Sequence, residues 1–172
     1  MSAAAARYGT IVLMGVCGSG KTTVGRLLAE RLALPIVEAD RLHPPANIAK
    51  MAAGQALDDQ DRAPWLDAVA AEAARAAAPE GVVIACSALK RGYRARLAGA
   101  LGGARFVHLA GEPGLLRQRM TERRGHFMPS SLLDSQLTTL EPPEPDEPAL
   151  EVEVSATPEA IVAEIVGSLG AS

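Results

Sequence analysis

Three sets of residues in this chain have types and spacings that could do chemistry. The first is Gly15-Val16-Cys17-Gly18-Ser19-Gly20-Lys21-Thr22-Thr23, which fills the pattern Gly-x-x-x-x-Gly-Lys-Thr. Glycines let backbone N–H groups turn toward one point, and a helix starting there adds the partial positive charge of its N-terminus. Lys21 can reach the outer phosphates of a nucleoside triphosphate, and the Thr22 hydroxyl can ligate Mg²⁺. The second set is Glu38 and Asp40. One carboxylate could hold Mg²⁺ through water while the other orients or deprotonates an acceptor hydroxyl, or both simply end a strand in solvent. The third is Arg119 and Arg123, four apart on one helix face, either a phosphate-facing pair or a solvated basic stripe.

The elements around these residues are the ones a phosphate loop needs. Thr10 to Met14 is an apolar, β-branched run and reads as a buried strand. Val24, Leu27, Leu28 and Leu32 continue at helical spacing, which predicts a helix over about 21–32. Strand, glycine loop and helix in that order is the expected context for nucleotide phosphates. A short strand over about 34–40 ends in the two acids, and in Arg41-Leu42-His43-Pro44-Pro45 after it the two prolines interrupt any regular element. A helix is expected near 46–53, closed by Gly54, and Asp58 to Arg62 reads as a charged loop before a helix over about 64–77 with Pro64 in its first turn.

Strands at about 82–86, 105–109 and 150–154 alternate with helices to about 100, over 113–123, over 130–140 and after Thr157-Pro158. The run Glu141 to Pro148 is proline-rich and acidic and reads as a surface loop. Alternation of this kind predicts an α/β fold with a parallel sheet covered on both faces and ligands at the carboxyl ends of its strands. Those ends carry Gly15, Asp40, Ser87 and Ala110. The third strand ends in Cys86-Ser87 rather than in an acid, so a metal-orienting carboxylate must come from Glu38 or Asp40.

Bulk properties exclude several functions. At 172 residues the chain suits a single domain over 1–172, with 1–7 as a loose tail. Hydrophobic residues at 48% and charged residues at 22% fit a soluble globular protein, and a net charge of −3 gives no general attraction for nucleic acid or anionic membrane. No stretch reads as a signal peptide or a bilayer span. Two cysteines without zinc-like spacing predict reduced thiols and a cytoplasmic protein.

Longer motifs narrow the chemistry. Asp40-Arg41-Leu42-His43-Pro44-x-x-Asn47-Ile48-x-Lys50-Met51-x-x-Gly54, followed by Leu57-x-Asp59-x-Asp61-Arg62-x-Pro64-Trp65-Leu66, resembles the gluconate kinase (gluconokinase) family. Cys86-Ser87-Ala88-Leu89-Lys90-x-x-Tyr93-Arg94 and Gly125-His126-Phe127-Met128 through Ser135-Gln136-x-x-Thr139-Leu140-Glu141 carry the same resemblance, in order from about residue 10 to residue 142. It implies a P-loop kinase fold like that of shikimate and nucleoside monophosphate kinases, with a five-stranded parallel core, an acceptor-binding segment at about 40–66 and a lid at about 123–136. It implies transfer of the γ-phosphoryl group of ATP, with Mg²⁺, to the 6-hydroxyl of D-gluconate, in a homodimer.

On that footing the P-loop residues 15–23 and Arg119 and Arg123 are expected at the nucleotide, with Arg119 near the adenine and Arg123 on the β- and γ-phosphates. Lys21, Asp40 and Arg123 are expected to be catalytic, and Thr22 and Glu38 to hold the metal. Arg62 is expected to clamp the gluconate carboxylate, since a guanidinium binds it in a bidentate fork. Asp40, His43, Asn47, Lys50, Ser87, Lys90, His126 and Gln136 complete the expected acceptor side. His43 is a substrate contact or a tie for the Pro44-Pro45 turn; Trp65 is a core anchor or a ligand platform; His108 is structural. Family members usually show Asp where this chain has Glu38, and the extra methylene makes Asp40 the safer metal ligand. A kinase for shikimate or another sugar acid is the alternative enzyme, though Ser87-Ala88-Leu89-Lys90 replaces the glycine-rich turn of shikimate kinases. A P-loop module that binds nucleotide without turnover is the alternative from another class.

Overall fold

The computed structural model describes residues 7–122 and 131–170. Its apolar runs form five strands, β1 (Gly9–Met14), β2 (Ile36–Glu38), β3 (Gly81–Ala85), β4 (Arg105–Ala110) and β5 (Ala149–Glu153). They make one sheet in the order β2-β3-β1-β4-β5 with every pairing parallel. β1 is central: Val12 pairs with Ile84 on one side and with Phe106 on the other. Ile11, Val12, Leu13 and Met14 are wholly buried, as a strand covered on both faces requires.

The helices are α1 (Lys21–Leu32), α2 (Pro45–Ala52), α3 (Asp59–Ala76), α4 (Arg91–Leu101), α5 (Pro113–Glu122), α6 (Ser131–Thr139) and α7 (Pro158–Leu169). α1 packs with α7, and α3 packs with α4. Gly25 brings α1 down onto the sheet: a Cβ there would lie 2.9 Å from Ile36 and 3.4 Å from Leu13. The sheet order and these helices bear out the expected α/β P-loop kinase architecture.

Two local expectations change. The acids at 58–61 are not a loop. The Asp58 carboxylate accepts from the Asp61 N–H at 2.7 Å, and the Asp61 carboxylate accepts from the Asp58 N–H at 3.0 Å, so the two form a reciprocal cap that starts α3 at Asp59. Acids in this first turn also suit the positive end of the helix. Pro64 therefore lies inside the helix, where it removes one backbone donor. The second strand is also shorter than expected, because the chain turns into a 3₁₀ helix over Ala39–Leu42 and swings Asp40 off the sheet edge.

The segment after α6 is tied down by charge. Arg94, 1% exposed, donates from Nε and Nη2 to the Glu147 carboxylate at 2.7 and 3.1 Å. The same guanidinium donates to the carbonyls of Ala88, Leu89 and Glu141. Arg91 forks onto Asp146 at 2.8 and 2.6 Å. The acidic, proline-rich run is thus a strap across the start of α4, anchored by one buried ion pair.

Candidate active site

The donor side grows out of β1. Gly15, at φ 150°, leaves no room for a side chain, since a Cβ would stand 2.9 Å from the Leu109 carbonyl oxygen. Gly20, at φ 90°, takes the left-handed conformation that starts α1. Lys21 and Thr22 are then the first two residues of α1, beside its positive end. The Lys21 ammonium donates to the carbonyls of Gly15 and Val16 at 2.9 and 3.0 Å. The Ser19 hydroxyl is buried without a hydrogen-bond partner, one of two such side-chain groups among the described residues. An orphaned hydroxyl inside a glycine loop fits an incoming phosphate oxygen.

The acceptor side faces the same opening. An open cleft is lined on one wall by Cys17, Gly18, Gly20, Lys21 and Thr22. The facing wall includes Asp40, His43, Arg62, Trp65 and Ser87. α6 closes part of it with Leu132, Ser135 and Gln136, and Gln136 reaches the loop itself, its Oε1 accepting from the Cys17 N–H at 2.7 Å.

Trp65 is a buried anchor that also backs His43. Its indole N–H donates to the Ala39 carbonyl at 2.7 Å, and its ring stacks on His43 with centroids 4.2 Å apart. Burial, reinforced by the Arg62 charge and opposed by Asp40, lowers the His43 pKa to about 4. At neutral pH His43 is therefore an uncharged donor and acceptor. Burial pushes the Cys86 thiol up to about 12, which keeps it protonated and unreactive.

A second cleft opens on the other side of the glycine loop, lined by Gly18, Ser19, Gly20, Thr23, Val24, Arg119, Glu122, Ala156, Pro158 and Ile161. Arg119 is held there by donating to the Val154 carbonyl at 2.7 Å, between α5 and the turn after β5. Its apolar wall and its place beside the loop suit a nucleotide base.

Several expected site residues, Glu38 for the metal and three for the acceptor, stand outside the acceptor cleft. Glu38 is taken up by Arg26 at 3.1 Å and Arg41 at 3.0 Å and does not line the cleft that Thr22 and Asp40 share. Lys50 pairs with Asp61 at 2.8 Å. Lys90 pairs with Asp59 at 3.0 Å and lies 5.7 Å over the Tyr93 ring. Asn47 is buried, donating to the Asp61 carbonyl at 3.0 Å and meeting His43 Nδ1 at 3.3 Å. These four tie elements together around the cleft instead of lining it. His108 is buried in β4, with Nδ1 3.6 Å from the Glu151 carboxylate. Arg123 and His126 lie outside the described residues. Met51 and Leu57 line the cleft as motif residues given no role, and Gln55 and Leu132 line it without having been singled out, since nothing in an ordinary apolar or amide side chain marks it as a wall.

Known proteins share this chain's sequence and fold. A family model described as an AAA domain matches residues 11–143. The gluconokinase of Gluconobacter oxydans is 49% identical over 158 residues, covering 91% of this chain and 88% of that one. The crystal structure of a gluconokinase from Sinorhizobium meliloti superposes with a TM-score of 0.83 at 49% identity, over 95% of this chain and 92% of that one. Shikimate kinase from Aquifex aeolicus, at 18% identity and a TM-score of 0.59 over 94% of this chain and 96% of that one, shares the fold. A glycine loop opposite an acid, a neutral imidazole and a buried arginine, in a sheet of this order and at this identity, assigns the chain: it belongs to the gluconokinase family of P-loop kinases.

Proposed function

We propose that this chain transfers the γ-phosphoryl group of ATP to the 6-hydroxyl of D-gluconate. The observation that carries this is the shared cleft, with phosphate-binding residues on one wall and Asp40, His43 and Arg62 on the other. Phosphoryl transfer asks for positioning and charge neutralisation rather than covalent chemistry, and this arrangement supplies both. The loop amides and Lys21 hold the β- and γ-phosphates, and adenine lies in the second cleft beside Arg119. Arg62 forks onto the gluconate carboxylate at the far end of the acceptor wall. Asp40 orients the 6-hydroxyl and takes its proton as the new O–P bond forms and the bond to the β-phosphate breaks, leaving ADP. His43, neutral and stacked on Trp65, and Ser87 meet the intervening hydroxyls.

The described residues contain no group of three His, Cys, Asp or Glu side chains placed to hold a metal by themselves. That suits Mg²⁺, which is usually held by substrate phosphates with one or two protein groups. Thr22 and Asp40 share the cleft and would hold it, in preference to Glu38, whose carboxylate is occupied by two arginines. When bound, the ion neutralises charge developing on the phosphates. Arg123 on the transferring phosphate and His126 on the acceptor side, within a lid over about 123–136, complete the proposal, as do a homodimer and a cytoplasmic location, supported by the likeness to the family. No helix among the described residues is long and apolar enough to cross a membrane.

ADP release measured with Mg·ATP against gluconate, shikimate, glucose and gluconolactone tests the acceptor. Turnover with gluconate well above the others is expected. No turnover with gluconate, together with turnover on another acceptor, would overturn the proposal.

A further inference from the structure

Arg62 sits at the acceptor wall with 7% exposure, yet among the described residues it makes no ion pair. A buried guanidinium without a carboxylate partner is costly unless other groups hold it. Tyr93, on the first turn of α4, is what holds it. The Tyr93 hydroxyl accepts from Arg62 Nη1 at 3.1 Å and donates in turn to the Asp59 carboxylate at the first position of α3. The Arg62 guanidinium carbon also lies 5.4 Å from the centroid of the Tyr93 ring. Lys90 closes the outer end, bonded to Asp59 at 3.0 Å.

We propose that Tyr93 is a positioning residue for the acceptor carboxylate: it fixes the Arg62 fork while standing between Arg62 and Asp59, so that the arginine's charge is kept for the substrate. The inference rests on Arg62 being the carboxylate clamp. A direct Arg62–Asp59 pair would fix the side chain equally well but would satisfy its charge, and the substrate carboxylate would then have to compete with a resident one. A tyrosine in between supplies an acceptor for one N–H and an aromatic face for the cation, and carries no charge of its own at neutral pH. Burial and the bond to Asp59 raise the Tyr93 pKa further, so the hydroxyl stays protonated through the working range. Among the described residues one N–H is used, which leaves the remaining edge of the guanidinium for a bidentate contact.

The arrangement also explains why Asp59, Lys90 and Tyr93 belong to the chain's acceptor motifs although none lines the cleft. They form the layer behind the arginine. The neighbouring wall, neutral His43 and Trp65, offers no charge that could substitute for Arg62's orientation.

The test is steady-state kinetics on the full chain for Tyr93→Phe, Arg62→Ala and the double variant, with gluconate and ATP varied separately. Tyr93→Phe keeps the ring and removes the hydroxyl. It should raise the gluconate KM roughly tenfold, the scale of one hydrogen bond to a charged group, with kcat and the ATP KM within about twofold. Arg62→Ala should raise the gluconate KM further, and adding Tyr93→Phe to it should change nothing more, because the tyrosine acts through the arginine. An unchanged gluconate KM in Tyr93→Phe, or a further rise when it is added to Arg62→Ala, would overturn the positioning role. An unchanged gluconate KM in Arg62→Ala would instead refute the carboxylate clamp on which it rests. If Tyr93→Phe lowers both KM-based efficiencies together with the unfolding temperature, Asp59→Ala gives the second measurement. A rise in gluconate KM alone supports the inference, and no rise refutes it.

Discussion

Replacing Arg94 by Met should cost this domain a large share of its stability. The Arg94 side chain is 1% exposed and that of its partner Glu147 is 9% exposed. Five hydrogen bonds leave the guanidinium, two to Glu147 and one each to the carbonyls of Ala88, Leu89 and Glu141. Methionine keeps most of the volume and none of the donors. Removing one partner of a buried pair typically costs about 3–5 kcal/mol, because a desolvated charge is left behind. Here the Glu144 N–H still donates to Glu147 at 2.8 Å, which places the expected loss at the lower end, about 3 kcal/mol.

Against a total of about 5–15 kcal/mol for a domain, that is a large fraction. It corresponds to a fall in Tm of about 6–12 °C for a chain of this size. Urea unfolding followed by far-UV circular dichroism reads it as a shift in midpoint with the slope unchanged. The double variant Arg94→Met with Glu147→Met should recover part of the loss, since the buried charge is gone while the Ala88 and Glu141 carbonyls lose their donor; the Leu89 carbonyl still accepts from the Glu141 N–H at 2.8 Å. A loss below about 1 kcal/mol in the single variant, or a double variant no better than the single one, would refute the picture of a charge-anchored strap.

Three further outcomes concern the site and its surroundings. Trp65 is the only tryptophan and stacks on a cleft-lining histidine, so gluconate should change its fluorescence saturably, and Arg62→Ala should shift that titration to higher concentration. A flat titration at concentrations that saturate turnover would place the acceptor elsewhere. His43 has its pKa lowered to about 4, below the unfolded value near 6.5, so the unfolded chain takes up the proton first and stability falls as pH drops through that window. Comparing wild type with His43→Gln from pH 7 to 4 should show a steeper loss in wild type, approaching one extra proton; parallel curves would mean that the imidazole is not held neutral. Cys86, with its thiol pushed up to about 12, should resist alkylation at pH 8 until the chain is unfolded, and rapid adduct formation at Cys86 in the native protein would contradict its burial.

What could be read from the sequence was what local pattern determines. The β-branched run into Gly15 to Thr22 located β1, the loop and α1, because strand, glycine turn and helix are all specified within a few residues. Asp40 and Arg62 were placed on the acceptor side by their motif, and both line the cleft. Lys50, Lys90 and Asn47 were expected there too, and the acids of α3 hold two of them away. A lysine's reach says nothing about which of several nearby carboxylates it will meet. The start of α3 was missed because clustered acids look like a solvated loop, although Asp58 and Asp61 stand at capping-box spacing. The Arg94–Glu147 pair had no sequence signal at all, since its partners are 53 positions apart and both types are usually exposed.

A single cleft that brings the γ-phosphate of ATP to a primary hydroxyl of gluconate leaves a direct signature in phosphorus NMR. In a reaction with Mg·ATP and gluconate, ATP should be converted to ADP with the appearance of one phosphomonoester, split into a triplet by the two protons on carbon 6. Conversion to ADP and free phosphate at a rate indifferent to gluconate, or a phosphomonoester split by a single proton, would contradict that transfer.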